Sequence, residues 1–219
     1  MRPVKQGVEP PDYAIRRNSQ EITDYLANLP PNPPSDQWAK DNKQLWQDVR
    51  DDVWAWNEDR CVYSDIYCTP GANGIRSVDH FLPKTLFPQQ SLDWDNYLPC
   101  QTAINRYKDT TLGFVDPRTI PPTLFKLVVP KMATAIADTT SPLADAGQTT
   151  IKNLRLDRGN LIEGRRMLIK NFLKELDRQK ATILLKQHSR FLFDELARQG
   201  FCDDSGQLTA RGLLLLSTL

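Results

Sequence analysis

Histidine is scarce in this chain: of 219 residues only His80 and His188 carry an imidazole. Any histidine chemistry therefore falls to one of two positions. Cysteine is sparse too, and Cys61, Cys68, Cys100 and Cys202 are too irregularly spaced for a secreted disulfide framework, so reduced thiols are expected. Neither sign of charge is in excess, with 28 basic and 27 acidic side chains. That balance excludes a global polyelectrolyte attraction to nucleic acid, and phosphate binding would need local clusters of Lys and Arg. No apolar run approaches the length of a membrane span, and Met1-Arg2-Pro3-Val4-Lys5 lacks the hydrophobic stretch of a signal peptide. A soluble, cytoplasmic protein without a membrane partner is expected. There is no internal repeat.

The length suits one substantial domain or two small ones. The first stretch is polar and ends in Leu29-Pro30-Pro31-Asn32-Pro33-Pro34, a rigid, extended linker. Ser35-Asp36 then offers an N-cap to a helix carrying Trp38, Leu45, Trp46, Val49, Val53 and Trp54 at helical spacing, with the aromatics as core. From Arg60 to Pro117 the chain is broken by Pro, Gly and Asn. Ile75 to Val78 reads as a strand leading into Asp79-His80, and Pro99 to Asp109 as a short helix. Phe125–Val129 and Met132–Ala137 are expected to pair as a hairpin. One helical face carries Leu161, Leu168, Phe172 and Leu176. A second helix carries Ile183, Leu184, Phe191, Leu192 and Leu196 before Gly200 stops it. A last short helix runs from Thr209 to Leu216. The expected class is α+β, mainly helical, divided as 1–59 (arm, Pro-rich linker and helix), 60–118 (core) and 119–219 (hairpin-like segment and helical region).

The chemistry concentrates in 78–109. Val78-Asp79-His80-Phe81-Leu82-Pro83-Lys84 sets a carboxylate beside an imidazole. Asp95-Asn96-Tyr97-Leu98 and Asn105-Arg106-Tyr107-Lys108-Asp109 follow. Hard oxygen ligands suit Mg²⁺, and a neutral imidazole suits proton abstraction from water near pH 7. Lys84, Arg106 and Lys108 lie close by and are candidate phosphate contacts.

These three stretches resemble the ββα-metal motif of HNH endonucleases, including the interval from Asn96 to Asn105. Phe114-Val115-Asp116-Pro117-Arg118, Thr150-Ile151-Lys152-Asn153-Leu154-Arg155-Leu156, Leu161, Arg165-Arg166 and the opening Met1-Arg2-Pro3-Val4 are similar to the standalone HNH proteins of retron and Septu anti-phage systems. The resemblance implies an HNH core flanked by N- and C-terminal helices, with His80 as general base and Asp79 and Asn105 as ligands of Mg²⁺ or Mn²⁺. It implies Asn96 as a brace that orients His80 through the backbone. It further implies a phosphodiesterase acting on nucleic acid, DNA rather than RNA, in anti-phage defence with an ATPase partner protein. An enzyme cutting RNA such as tRNA, or an inactive module that binds nucleic acid or a partner, are the alternatives.

One departure concerns zinc. Many relatives bind a structural zinc with two Cys-x-x-Cys pairs. Here Cys61 is partnered by Ser64, and the second pair falls on Gln101 and Ile104, with Cys100 one place short. Serine, glutamine and isoleucine cannot replace thiolates on zinc. A zinc-free core packed by Trp54, Trp56, Ile104 and Trp94 is expected. His188, without a neighbouring acid, reads as a surface or packing residue, Glu163, Arg165 and Arg166 as helix surface or a docking face, and Cys202 as an inert thiol.

Overall fold

Pro11 opens α1 (Pro11–Arg17), where a missing backbone N–H leaves nothing unsatisfied. Ser19 opens α2 (Gln20–Ala27) by accepting the Ile22 N–H at 3.4 Å. The computed structural model describes residues 1–71, 75–129 and 131–218, with side chains as far as Leu215. The helix expected from Ser35 to Trp54 is in fact three pieces: α3 (Gln37–Lys40), a 3-10 turn at Leu45–Gln47 and α4 (Arg50–Ala55). Asn42 breaks it by entering the left-handed region at φ 55°, and the Lys43 N–H closes back on the Trp38 carbonyl at 2.7 Å. The apolar spacing keeps its purpose nonetheless. Trp38, Leu45, Trp46, Val49 and Val53 bury together with Tyr13, Ile22, Trp94 and Tyr97 as an aromatic layer.

Strand β1 (Arg76–His80) pairs antiparallel with β2 (Tyr97–Gln101), setting Asp79 opposite Leu98 and His80 opposite Tyr97. The strand expected to stop at Val78 thus carries Asp79 and His80 itself. The helix expected from Pro99 begins later, as α5 (Thr102–Lys108), because Pro99 to Gln101 complete β2. Alternate residues of a strand face opposite ways. Val78, with Tyr97 on the neighbouring strand, packs into the N-terminal aromatic layer, whereas Leu98 and Cys100 join Ile104 of α5 and Trp54 in a second core. The hairpin is therefore sandwiched, and it ends with Asp79 and His80 facing different layers.

The expected second hairpin forms, β3 (Phe125–Val128) against β4 (Ala133–Ile136), with Pro130 of its connection outside the described residues. Helices α6 (Ala144–Asn153) and α7 (Asn160–Lys174) follow. The buried face of α7 is Arg165, Ile169, Phe172 and Leu173. Leu176 lies beyond its end and is exposed, so the expected face is shifted. Arg165, read as surface, is wholly buried and donates to the Met132 and Leu156 carbonyls, each at 3.0 Å. The expected helix from Ile183 to Leu196 is two, α8 (Arg178–His188) and α9 (Arg190–Arg198). Ser189, in extended conformation, separates them and caps α9 by accepting the Leu192 N–H. Consequently Ile183 and Leu184 are exposed while Phe191, Leu192 and Leu196 are core. Gly200 ends α9 at φ 73°, and α10 (Ala210–Thr218) closes the described chain.

Asp65 ties these parts together. Its side chain is 1% exposed and accepts from Arg2 Nε at 2.8 Å, from Ser189 Oγ at 3.2 Å and from the Phe191 N–H at 2.6 Å. The architecture is α+β, helix-rich with two small antiparallel sheets. Among the described residues no helix is long and apolar enough to cross a membrane.

Candidate functional site

Asp79 points toward α5. Its Oδ1 lies 3.0 Å from Lys108 Nζ, and its Oδ2 accepts from the Tyr63 hydroxyl at 2.8 Å. The Lys108 ammonium also donates to the His80 carbonyl at 2.7 Å. Lysine is almost never fully buried unless paired, and here the side chain is 0% exposed. Lys108, expected to touch phosphate, is sealed inside the site instead. The reason is electrostatic: among the described residues Asp79 has no other ion-pair partner, and a buried carboxylate needs one.

His80 points to the other side. Its ring meets Trp46 edge-on at 4.8 Å and Tyr97 at 5.3 Å. Its Nε2 lies 2.9 Å from the Ser91 carbonyl. A carbonyl only accepts, so Nε2 carries the proton and Nδ1 keeps the lone pair. Burial, with smaller contributions from Lys84 and Lys108, lowers the imidazole pKa to about 3, against a hydrogen bond to Ser91 that raises it. The ring is neutral through the physiological range.

Asn96 closes the loop after β1. Its Oδ1 accepts the Leu82 N–H at 2.7 Å, and its Nδ2 donates to the Leu82 and Gln90 carbonyls at 3.0 and 2.9 Å. Its own carbonyl accepts the Phe81 N–H, next to His80. Asn105 donates from Nδ2 to Ser77 Oγ at 3.2 Å and to the Val78 carbonyl at 3.3 Å. Its Oδ1 accepts nothing among the described residues.

Asp79, His80, Asn105, Lys84 and Arg106 all line one cleft of about 360 Å³, with Asp109 also on its wall. Arg106 is exposed. Lys84 lies over the Trp38 and Trp46 rings, 4.7 and 4.6 Å from their centroids, and donates to the Ser35 carbonyl. Burial lowers its pKa. Asn96 is not on the cleft wall, and Lys108 lies behind it.

The oxygen donors suit a hard cation in type. Two of the roughly four lone-pair sites of the Asp79 carboxylate are already engaged, and the Asn105 amide oxygen is open. Among the described residues no three or more of His, Cys, Asp and Glu gather into a metal-holding group. A Mg²⁺ ion held here would therefore take few protein ligands and complete its shell with water and substrate, its usual habit. It would share Asp79 with the Lys108 ammonium.

The positions where the resemblance sets zinc ligands converge below β2. Ser64 Oγ donates to Gln101 Oε1 at 2.8 Å, and Cys61, Cys100 and Ile104 are buried in the same cluster. Burial opposes ionisation of Cys61, yet hydrogen bonds from Cys100, Ser64 and Gln101 outweigh it together and bring the thiol to about 7. Burial and the adjacent Cys61 push Cys100 up. All four cysteines are unpaired and buried. Trp54 and Ile104 pack here, Trp94 belongs to the aromatic layer, and Trp56 touches both.

Sequence reasoning did not reach Tyr63 or Ser91, and it marked Trp46 as core without its contact to His80; these three fix Asp79 and His80 in place. Tyr63 and Trp46 lie 16 and 34 residues from their partners, so no local pattern signals them. No protein-family model matches the sequence, and no curated protein matches it significantly.

Proposed function

We propose that the protein is a metal-dependent nuclease of the HNH kind, hydrolysing phosphodiester bonds of nucleic acid. One observation carries the reading: Asp79, His80 and Asn105 reach a single cleft from a strand–strand–helix unit, with Arg106 and Lys84 on the same wall. In this reading the ββα unit is the HNH core. His80 takes the proton of the attacking water on Nδ1, because Nε2 is held by the Ser91 carbonyl. Asn96 keeps the His80 backbone in place through Leu82 and Phe81. Asp79 and the Asn105 amide oxygen hold Mg²⁺ or Mn²⁺, which when bound supplies Lewis-acid stabilisation of charge on the phosphate. Arg106 and Lys84 take the phosphates on either side. The gathering of Cys61, Ser64, Gln101 and Ile104 supports the same family, with hydrogen bonding and packing where relatives carry zinc. DNA as substrate, the ATPase partner and the defence setting rest on the resemblance.

A second reading, a nucleic-acid or partner-binding module without catalysis, is favoured by the engagement of both Asp79 oxygens and the low basicity of His80. One assay separates the two. Plasmid and labelled RNA are incubated with the protein, with and without Mg²⁺, beside His80→Ala. Mg²⁺-dependent cleavage that His80→Ala abolishes supports the nuclease, and the preferred substrate decides between DNA and RNA. Equal activity in both proteins overturns the mechanism.

A further inference from the structure

Helix α5 separates two cavities. Thr102, Asn105 and Arg106 face the cleft of Asp79 and His80, and Ile104 and Tyr107 face a larger one of about 470 Å³. We propose that this second cavity binds an unpaired nucleotide, with its base stacked at Tyr107 and Arg155 and its phosphate held by Arg158.

The chemistry of the walls carries the assignment. Ile104, Leu154 and their neighbours give an apolar floor, two arginines stand at the rim, and among the described residues no acidic side chain lines the cavity. A cavity of this size lies in the range that holds a small ligand. Tyr107 is 40% exposed although aromatic, and the Arg155 guanidinium lies over its ring at 4.2 Å. That pair forms a planar, cationic platform, the kind of surface on which bases stack without regard to sequence. Arg155 makes no hydrogen bond or ion pair among the described residues, so its five donors are uncommitted. Its backbone occupies the left-handed region at φ 56°, where glycine is the usual residue. Strained positions of this sort cluster at binding sites. Arg158 donates to the Lys152 carbonyl at 2.7 Å and lies 3.7 Å from Asp157, which leaves further guanidinium donors for an anion.

A base enclosed here must leave any double helix, so the ligand is a free nucleotide or an unpaired nucleotide in a strand. The site needs no catalysis at the neighbouring cleft.

The test is equilibrium binding by the full chain in EDTA, so that cleavage does not intervene. The probes are AMP, inorganic phosphate, a single-stranded oligonucleotide and a blunt duplex. AMP or the single strand is expected to bind better than phosphate or duplex. Tyr107→Ala and Arg155→Ala, both at exposed positions, are each expected to weaken that binding roughly five- to a hundredfold. Arg50→Ala, exposed on α4 and on the wall of neither cavity, should leave AMP binding unchanged. Tighter binding of the single strand than of AMP identifies a strand, and the reverse a free nucleotide. The proposal is overturned if neither probe binds at millimolar concentration, if phosphate binds as well as AMP, or if Tyr107→Ala and Arg155→Ala leave binding intact. Loss of cleavage by His80→Ala bears only on the cleft.

Discussion

Lys108 Nζ lies 3.0 Å from Asp79 Oδ1, and neither side chain reaches solvent appreciably. The carboxylate that the resemblance assigns to a divalent metal is thus already neutralised by an internal ammonium. That ammonium also grips the His80 carbonyl, so one lysine couples the Asp79 carboxylate to the backbone of His80. The pair joins the end of β1 to the end of α5.

Removing the cation alone should be costly. Lys108→Met leaves Asp79 buried and unpaired, and is expected to destabilise the fold by about 3–5 kcal/mol. Asp79→Asn combined with Lys108→Met should cost clearly less than the sum of the single changes. Urea denaturation of the four proteins measures this, and strict additivity would contradict the coupling.

The buried imidazole makes stability depend on acidity. His80 titrates at about 3 in the fold against 6.5 for the free side chain, so the unfolded chain binds the extra proton between those values. Its contribution is complete above about pH 6.5 and drains away as pH falls toward 3, at up to about 1.4 kcal/mol per unit. His80→Gln cannot take that proton. Between pH 7.5 and 4 the wild type should lose more stability than the variant. Parallel losses would refute the burial argument.

Asn96→Ala removes three hydrogen bonds from a buried loop. Leaving the Leu82 amide and the Leu82 and Gln90 carbonyls unsatisfied is expected to cost about 2–3 kcal/mol. Hydrogen exchange should quicken at the Leu82 amide while α9 remains protected. Loss of protection across the whole chain would mean that the residue supports more than the loop.

Arg106 and Lys108 share α5 but differ in exposure. Arg106→Ala is expected to weaken nucleic-acid binding and to lower the salt slope by roughly one. The sealed Lys108 contributes no such slope. Anisotropy titrations over a range of salt concentrations check this, and an unchanged slope for Arg106→Ala would remove it from the phosphate path.

Local pattern and non-local pairing account for what the sequence revealed. The β3–β4 hairpin was legible because its alternation is local. Asp79, His80 and Asn105 were legible as a set because β1, β2 and α5 follow one another closely. The spacing of Trp38, Leu45, Trp46 and Val53 correctly marked core residues. It did not reveal the break at Asn42, where a left-handed residue restarts the helix. Ser189 escaped notice for a similar reason, since a serine signals a cap only once the extended backbone before α9 is seen. Lys108 and Arg165 were misread because a cation is ordinarily a surface residue. Their burial depends on Asp79, 29 positions earlier, and on carbonyls of Met132 and Leu156. The Tyr107–Arg155 platform joins residues 48 apart and leaves no trace in either segment.

The carboxylate of Asp65 has a consequence for how the chain comes apart. It is buried between the N-terminal segment and the junction of α8 and α9, and its acceptor oxygens are filled by Arg2, Ser189 and Phe191. Peeling the C-terminal helices away would strand that charge beside Arg2 and Arg60 without its other donors. Detaching the junction of α8 and α9 from the N-terminal segment is therefore penalised at its first step. The two halves are expected to melt in a single cooperative transition, with calorimetric and van't Hoff enthalpies in agreement.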